Sequence, residues 1–346
     1  MVNSTVFGKI LLTLLIGLAL FYSFFNGYRD SSSILAGVLA SRAMRPTVAL
    51  YLVAAAELIA PFFFGSAVAR AVTTGLVDAA AISLSTVVIA MLAAVAWSVF
   101  CWWRGIPSSS THALIGGVVG ATWIIHGGRA ILTRGLLYAV LPLLVAPLVG
   151  LLLGFLMMGL LLLVFRRATP KVNTGFRKIQ VVTAVLLAMS NSANDSHKSM
   201  GIIALGLVLA GNAPSFAVPV WVLAACAAAM ALGASRGDWR QIRNLGGKVF
   251  RIRPLNALAS QLASTGVVLS ASALGMPVST SHIISTALMG SGASERVNKV
   301  RWHVAGEMAT AWILTIPATM AVSVLIFLAA TGLNHFGGGL VRLVAR

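Results

Sequence analysis

The sequence predicts an all-α polytopic membrane protein made of two repeated halves. Three observations predict it. Of 346 residues, 59% are hydrophobic and only 9% charged, with a mean hydropathy of +0.95, against roughly 25% charged in a soluble domain. Apolar runs of membrane-crossing length recur along the chain, separated by short basic clusters. One motif occurs twice, as Gly105-Ile106-Pro107-Ser108-Ser109-Ser110-Thr111-His112 and as Gly275-Met276-Pro277-Val278-Ser279-Thr280-Ser281-His282, in register 170 residues apart.

The elements follow in order. An apolar run at 8–25 after Lys9 resembles a signal peptide, but no small-x-small cleavage site follows, so it reads as a retained membrane segment. Asn26, Gly27, Arg29, Asp30 and Ser31 to Ser33 then interrupt it before apolar sequence resumes at 34–40, which predicts a helix broken inside the membrane. The next span, 47–69, carries Glu57 and Pro61. A span at 82–103 leads into the first motif. The apolar piece after it, 113–125, is shorter than the ~20 residues a crossing needs, so motif and piece predict a re-entrant hairpin. Residues 135–165 form another span. The second half repeats the order: a helix over 179–189 broken at Ser190 to Lys198, a span at 216–232, a basic amphipathic segment at 236–254, a span at 255–274, the second motif with its short segment, and a last span at 304–330.

The expected organisation is therefore a transmembrane repeat over 1–165, a basic linker over 166–178 and a second transmembrane repeat over 179–346. Halves with interrupted helices suit a secondary transporter that binds its cargo near the bilayer midplane, and we read the repeat as inverted. The formal charge is +18, from 25 Lys+Arg and 7 Asp+Glu. The bases sit between the spans, as the positive-inside rule describes for cytoplasmic loops. They point to a multi-pass protein of the cytoplasmic membrane and away from nucleic acid. Cys101 and Cys226 lie in apolar runs and suggest neither a disulfide nor a metal site.

Each motif places Ser or Thr behind a Pro at a helix start. Pro suits the first turn, whose N–H would be orphaned anyway. The free N–H groups and the dipole there favour an anion. Ser108, Ser109, Ser110 and Thr111, with Ser279, Thr280 and Ser281, are thus the candidate ligands of a tetrahedral oxyanion, unless they only cap or pack buried helices. His112 and His282 follow directly. They are accessory candidates or helix-contact residues, and without Cys or carboxylates at ligand spacing they make no metal site.

Carboxylates inside a membrane are functional candidates by default. Asp30 and Asp195, with Asn26, Asn191 and Asn194, offer oxygens that suit Na⁺, and either Asp could carry a proton instead. The structural alternatives are ion pairs, Asp30 with Arg29 and Asp195 with Lys198. Glu57 could carry the coupling proton or make a structural hydrogen bond. Arg29, Ser33 and Lys198 are further accessory candidates. No cofactor is expected.

These residues resemble the PiT inorganic phosphate transporter family. The resemblance rests on Asn26-Gly27-x-x-Asp30, Asn194-Asp195, Pro107 to His112 and Pro277 to His282. It extends over Ala231-Leu232-Gly233, Trp239-Arg240, Ile242-Arg243, Leu245-Gly246, Arg301-Trp302, Ala311-Trp312 and Thr315-x-Pro317. It implies Na⁺- or H⁺-driven phosphate symport, inverted repeats with a hairpin in each, and a homodimer. The family's first signature usually reads Gly-x-Asn-Asp-x-x-Asn. Here Arg29 precedes Asp30, and Ser33 stands at the last Asn. In the second copy Ser192 replaces the Gly and Lys198 the last Asn, while Gln261 stands where a Glu is usual. Neutral oxygen ligands are lost and two cations gained, which shifts the expected coupling ion towards H⁺.

Three other readings remain. A sulfate or other oxyanion permease resembles the same family. An intramembrane serine hydrolase would use Ser108 and His112, one helical turn apart, but the chain lacks a Gly-x-Ser-x-Gly elbow. A channel or scaffold leaves the paired Asp and paired anion-type motifs without a reason.

Overall fold

The structure, a computed structural model, describes residues 2–65, 67–73, 75–78, 81–242 and 252–335. Among these the chain is helical: α1 (Val2–Ala40), α2 (Pro46–Ile59), α3 (Ala67–Thr73), α4 (Leu84–Arg104), α5 (Ser110–His126), α6 (Thr133–Val164), α7 (Val172–Leu209), α8 (Val220–Arg236), α9 (Pro254–Ala273), α10 (Thr280–Glu295) and α11 (Trp302–His335). Of these, α1, α4, α6 and α11 are long and apolar enough to cross a membrane. α7 begins at Val172, inside the basic stretch 166–178. Residues 243–251 of the basic segment after α8 lie outside the described residues.

Each local break has a chemical cause. Pro61 sits in a 3-10 turn (Ala60–Phe62) that ends α2, and α3 follows as a separate short helix. The α4–α5 and α9–α10 pairs turn in the same way. Gly105 (φ 71°) and Gly275 (φ 69°) are left-handed, a conformation that glycine adopts without a Cβ penalty. Around them Ile106 N–H donates to Cys101 O at 2.8 Å and Met276 N–H to Ala271 O at 2.8 Å. These are the same helix-end bonds in both copies.

The two expected broken helices are corrected. α1 runs unbroken through Asn26, Asp30 and Ser33, and α7 unbroken through Ser190 to Lys198. A polar side chain does not interrupt the backbone ladder; in lipid a helix is what keeps that ladder satisfied. Neither stretch contains Pro. The serines bond back within the helix, Ser190 Oγ to Leu186 O at 2.7 Å and Ser196 Oγ to Ser192 O at 2.7 Å. The amides reach neighbouring elements, Asn191 to Glu57 and Asn194 to the loop before α10.

The two halves interlock. α5 packs on α11, and α10 packs on α6, so each short helix of one half lies against the last helix of the other. α1 packs on α8 and α7, and α7 also packs on α2 and α3. The short helices approach their partners through glycine: a Cβ on Gly120 would stand 2.6 Å from the Met320 backbone, and one on Gly154 would overlap the Ala287 backbone. Such small-residue seams let helices pack by van der Waals contact where lipid supplies no hydrophobic drive. The core between α1, α4, α5, α7 and α8 is closed by Leu15, Tyr22, Met91, Leu114, Ile203 and Cys226. Outside it, α6 exposes Leu137, Leu141, Leu144, Leu148, Leu152 and Leu156 along one side. A soluble monomer does not expose an apolar stripe of that length, and in a bilayer it is the lipid-facing wall. Cys101 and Cys226 are buried and free.

Gly120→Val should separate α5 from α11, at an overpacking cost of about 1–3 kcal/mol. The expected result is a lower melting temperature of the detergent-solubilised protein; an unchanged one would mean that this seam does not hold the halves together.

Candidate functional site

The loop before α5 (105–109) and the loop before α10 (274–279) meet. Thr111 Oγ1 donates to Val278 O at 2.9 Å. The His112 and His282 rings are 5.4 Å apart, and His282 stacks on Trp312 at 4.1 Å. The middle of α7 lies against this junction. Asn194 accepts from Val278 N–H at 3.2 Å and donates to Met276 O at 3.1 Å and Ser272 Oγ at 3.2 Å. In the first half Arg29, the residue before Asp30, takes the corresponding place. Its Nη2 donates to Ser108 O at 2.5 Å. Ser108 and Val278 occupy the same position in the two motifs.

Asp30 and Asp195 come together here from α1 and α7, close enough for their carboxyl groups to interact. Asp195 also pairs with the Lys198 ammonium and accepts from Thr280 Oγ1 at 3.3 Å. Lys198 donates in addition to Thr111 Oγ1 at 2.5 Å and Val278 O at 2.9 Å. Of the two structural ion pairs weighed from the sequence, that of Asp195 with Lys198 is present; among the described residues none joins Asp30 to Arg29. Glu57 stands apart on α2, fully buried. Asn191 Nδ2 donates to its Oε1 at 2.9 Å, and Ser192 Oγ to its backbone carbonyl at 2.7 Å. Asn26 is buried on α1 with neither side-chain atom partnered by protein.

The hydroxyls divide by task. Ser109 caps α5, accepting from His112 N–H at 3.3 Å. Thr111 and Thr280 are engaged as described. Ser110 is buried, and its carbonyl accepts the Tyr22 hydroxyl at 2.5 Å. Ser279 caps α10 by position and faces Ser281 Oγ at 3.5 Å. Ser108 and Ser281 instead line a cavity of about 140 Å³ with Arg29, Ser33, His282 and Ser285, ample for several waters. Ser33 Oγ and both His282 nitrogens have no protein partner. In the Ser108/His112 pair weighed as a hydrolase dyad, the Ser108 hydroxyl turns to Thr315 Oγ1 at 3.4 Å. Among the described residues no group of three His, Cys, Asp or Glu is placed to hold a metal ion.

Sequence reasoning missed the outer wall of this cavity. Asp238 and Arg240 follow α8 and line it with Trp102 and Glu307. Asp238 accepts from Trp102 Nε1 at 2.9 Å and, at Oδ1, from Arg240 N–H at 3.0 Å. Its own N–H donates to Ser32 Oγ at 2.9 Å. Asp238 is one of only seven acidic residues, the one signal that could have marked it.

A polar cavity between two repeated helix starts, set in a shell of lipid-facing helices, suits a membrane transport protein. A family model described as the phosphate transporter family matches residues 26–323. The chain belongs to that family: it is a multi-pass membrane transporter, not an enzyme. A protein of Rhizobium meliloti (strain 1021) named "Probable low-affinity inorganic phosphate transporter" is 38% identical over 322 residues, 92% of this chain and 96% of that one. One of the same name in Bacillus subtilis (strain 168) is 36% identical over 92% of this chain and 97% of its own. The fold is also that of a solved structure named "The sodium-dependent phosphate transporter", with a TM-score of 0.86 over 93% of this chain and 99% of that one, at 20% identity.

The division of hydroxyls makes a prediction. Ser108→Ala and Ser281→Ala each remove a donor that faces the cavity. A hydrogen bond to a charged partner is worth about 1.5–3 kcal/mol, so each should weaken binding of the cargo anion by roughly one to two orders of magnitude. Ser109→Ala should cost stability through the lost cap, with little effect on affinity. Equal affinities in all three variants, measured by calorimetry in detergent, would place the anion elsewhere.

Proposed function

We propose that this protein is a symporter that moves inorganic phosphate across the cytoplasmic membrane, with the anion held between the two motif-bearing loops. The observation that carries the reading is the junction itself, where both repeated helix starts, the cavity-lining hydroxyls and Arg29 converge beside the Asp30–Asp195 pair. The relatives' names supply phosphate as the anion. Helix starts with hydroxyl and guanidinium donors suit a tetrahedral oxyanion, so a sulfate permease differs from this reading only in its cargo.

The α4–α5 and α9–α10 pairs act as re-entrant hairpins, entering from opposite faces and meeting tip to tip. Counting α1, α2–α3 and α6 as crossings leaves three in the first half, and an odd number inverts the second. Gly105 to Pro107 are exposed while Gly275, Pro277 and Val278 are buried. The conformation is then open on one side only, the side of Asp238 and Arg240. The basic segment that follows α8 makes that side the cytoplasm.

The proton is the favoured coupling ion. Asp30 and Asp195 are brought close together at the junction, and two like charges so placed favour sharing a proton. Glu57, with its Oε2 unpartnered, is the second candidate carrier. Sodium is the alternative, favoured by the name of the solved neighbour. Asn26 and the free oxygen of Asn191 are the unsatisfied groups it would use. The family resemblance carries the homodimer forward as well.

The test is uptake of labelled phosphate into proteoliposomes with pH and sodium gradients imposed separately. Uptake should follow the pH gradient and be competed by phosphate better than by sulfate; better competition by sulfate would reassign the cargo. Asp195→Asn should abolish gradient-driven uptake in protein that still reaches the membrane. Normal uptake by that variant would remove Asp195 from the coupling machinery.

A further inference from the structure

We infer that the Lys198 ammonium is a built-in cation that fills a monovalent-cation site at the junction, making that site independent of sodium. Lys198 is fully buried, among the largest side chains with no exposure. A buried charge is tolerated only when paired and hydrogen-bonded. An ammonium has three donors, and three oxygens receive them: Asp195 Oδ1, Thr111 Oγ1 and Val278 O. The three come from α7, from the first turn of α5 and from the loop before α10.

That set is one carboxylate, one hydroxyl and one backbone carbonyl outside any helix ladder. Hard cations take oxygen ligands of these kinds, and transporters coordinate them with carbonyls from non-helical backbone. Lys198 and a monovalent ion would place the same charge at the same point. The difference is tethering. A free ion would make the Thr111–Val278 junction depend on its concentration, whereas the lysine holds the two loops together at every concentration. The titratable groups it interacts with are Asp195, Asp30 and His112. Arg29 does the same for the carbonyl of Ser108, the equivalent of Val278. Both loop carbonyls are thus held by covalently attached cations.

The inference concerns the coupling site of the proposed transporter and rests on that reading for its meaning in transport, but the cation site can be read without transport. Melting temperatures of the purified full chain in detergent are measured in sodium or N-methylglucamine chloride at equal ionic strength, for wild type, Lys198→Ala and Lys198→Met. The alanine opens the oxygen set to an ion; the methionine removes the charge but keeps the space filled. Wild type and Lys198→Met should show no sodium response. Lys198→Ala should be destabilised in N-methylglucamine and regain about 3 °C or more in sodium, since a ligand that binds only the folded state stabilises it. A lysine serving only as a structural ion pair predicts equal destabilisation in both salts, and that result overturns the inference. A sodium response as large in Lys198→Met, or in wild type, overturns it too. In proteoliposomes Lys198→Ala should need sodium for phosphate uptake, at least tenfold more than wild type. Wild type that moves no phosphate under any gradient would defeat the transport reading while leaving the melting result to decide the cation site.

Discussion

The contact on which the rest depends is the one between Thr111 and Val278. Through it two loops that are 170 residues apart in sequence become one site. Neither residue could hold it alone in a medium without water. Thr111 spends its hydroxyl hydrogen on Val278 O and accepts from Lys198, and Val278 spends its N–H on Asn194. Each of these three groups is thus satisfied by another, as a buried polar network requires. The helices around it are arranged to bring it about. α5 and α10 are each pressed into place by the last helix of the opposite half, and glycine seams keep those approaches close.

That exchange of partners explains why the two halves form one body. In a chain of two side-by-side repeats, each short helix would pack within its own half, and the junction would depend on a single sliding interface. Here moving one loop relative to the other must also disturb a short helix and the long helix of the other half. The fold can therefore tie a shift at the cargo site to a shift of whole helices. Packed cores tend to switch between discrete arrangements rather than deform continuously.

Much of this was readable in the residues. The repeated Gly-x-Pro motif marked both loops, because a left-handed glycine and a helix-starting proline each have one local use. Asp30 and Asp195 stood out because a carboxylate in an apolar run demands a reason. What could not be read was where polarity turns into geometry. The stretch around Asn194 and Asp195 looks like a break, yet the backbone remains helical because its polar side chains find partners on other elements. Which hydroxyls line the cavity was equally hidden: Ser108 and Thr111 lie in the same short motif, but one faces the cavity and the other the opposite loop. Such a difference depends on rotation about a helix whose neighbours come from distant sequence. Asp238 was missed for the same reason. It sits in a stretch that reads as a basic amphipathic segment, and only the fold sets it against Trp102 and Ser32.

The two copies are alike in sequence but not in environment, and this asymmetry links the structure to movement. The first loop exposes Gly105 to Pro107 at the cavity, while its counterpart is buried, with Gly275 packed near Ala67. In the proposed inverted repeat, exchanging these environments would give a second state that opens to the other side of the membrane. Exchanging the environments means that the second loop leaves α3 while the first gains equivalent cover. The cost of that exchange is the desolvation of whatever charge the junction holds. The junction holds two cations, Arg29 and Lys198, and two carboxyls, Asp30 and Asp195, so a proton shared by the carboxyls leaves one positive charge and its loss leaves none. In the proposed cycle a proton on the carboxyl pair makes the junction positive, and a phosphate anion in the cavity balances it. Electrostatics would then favour proton and phosphate moving together over either moving alone.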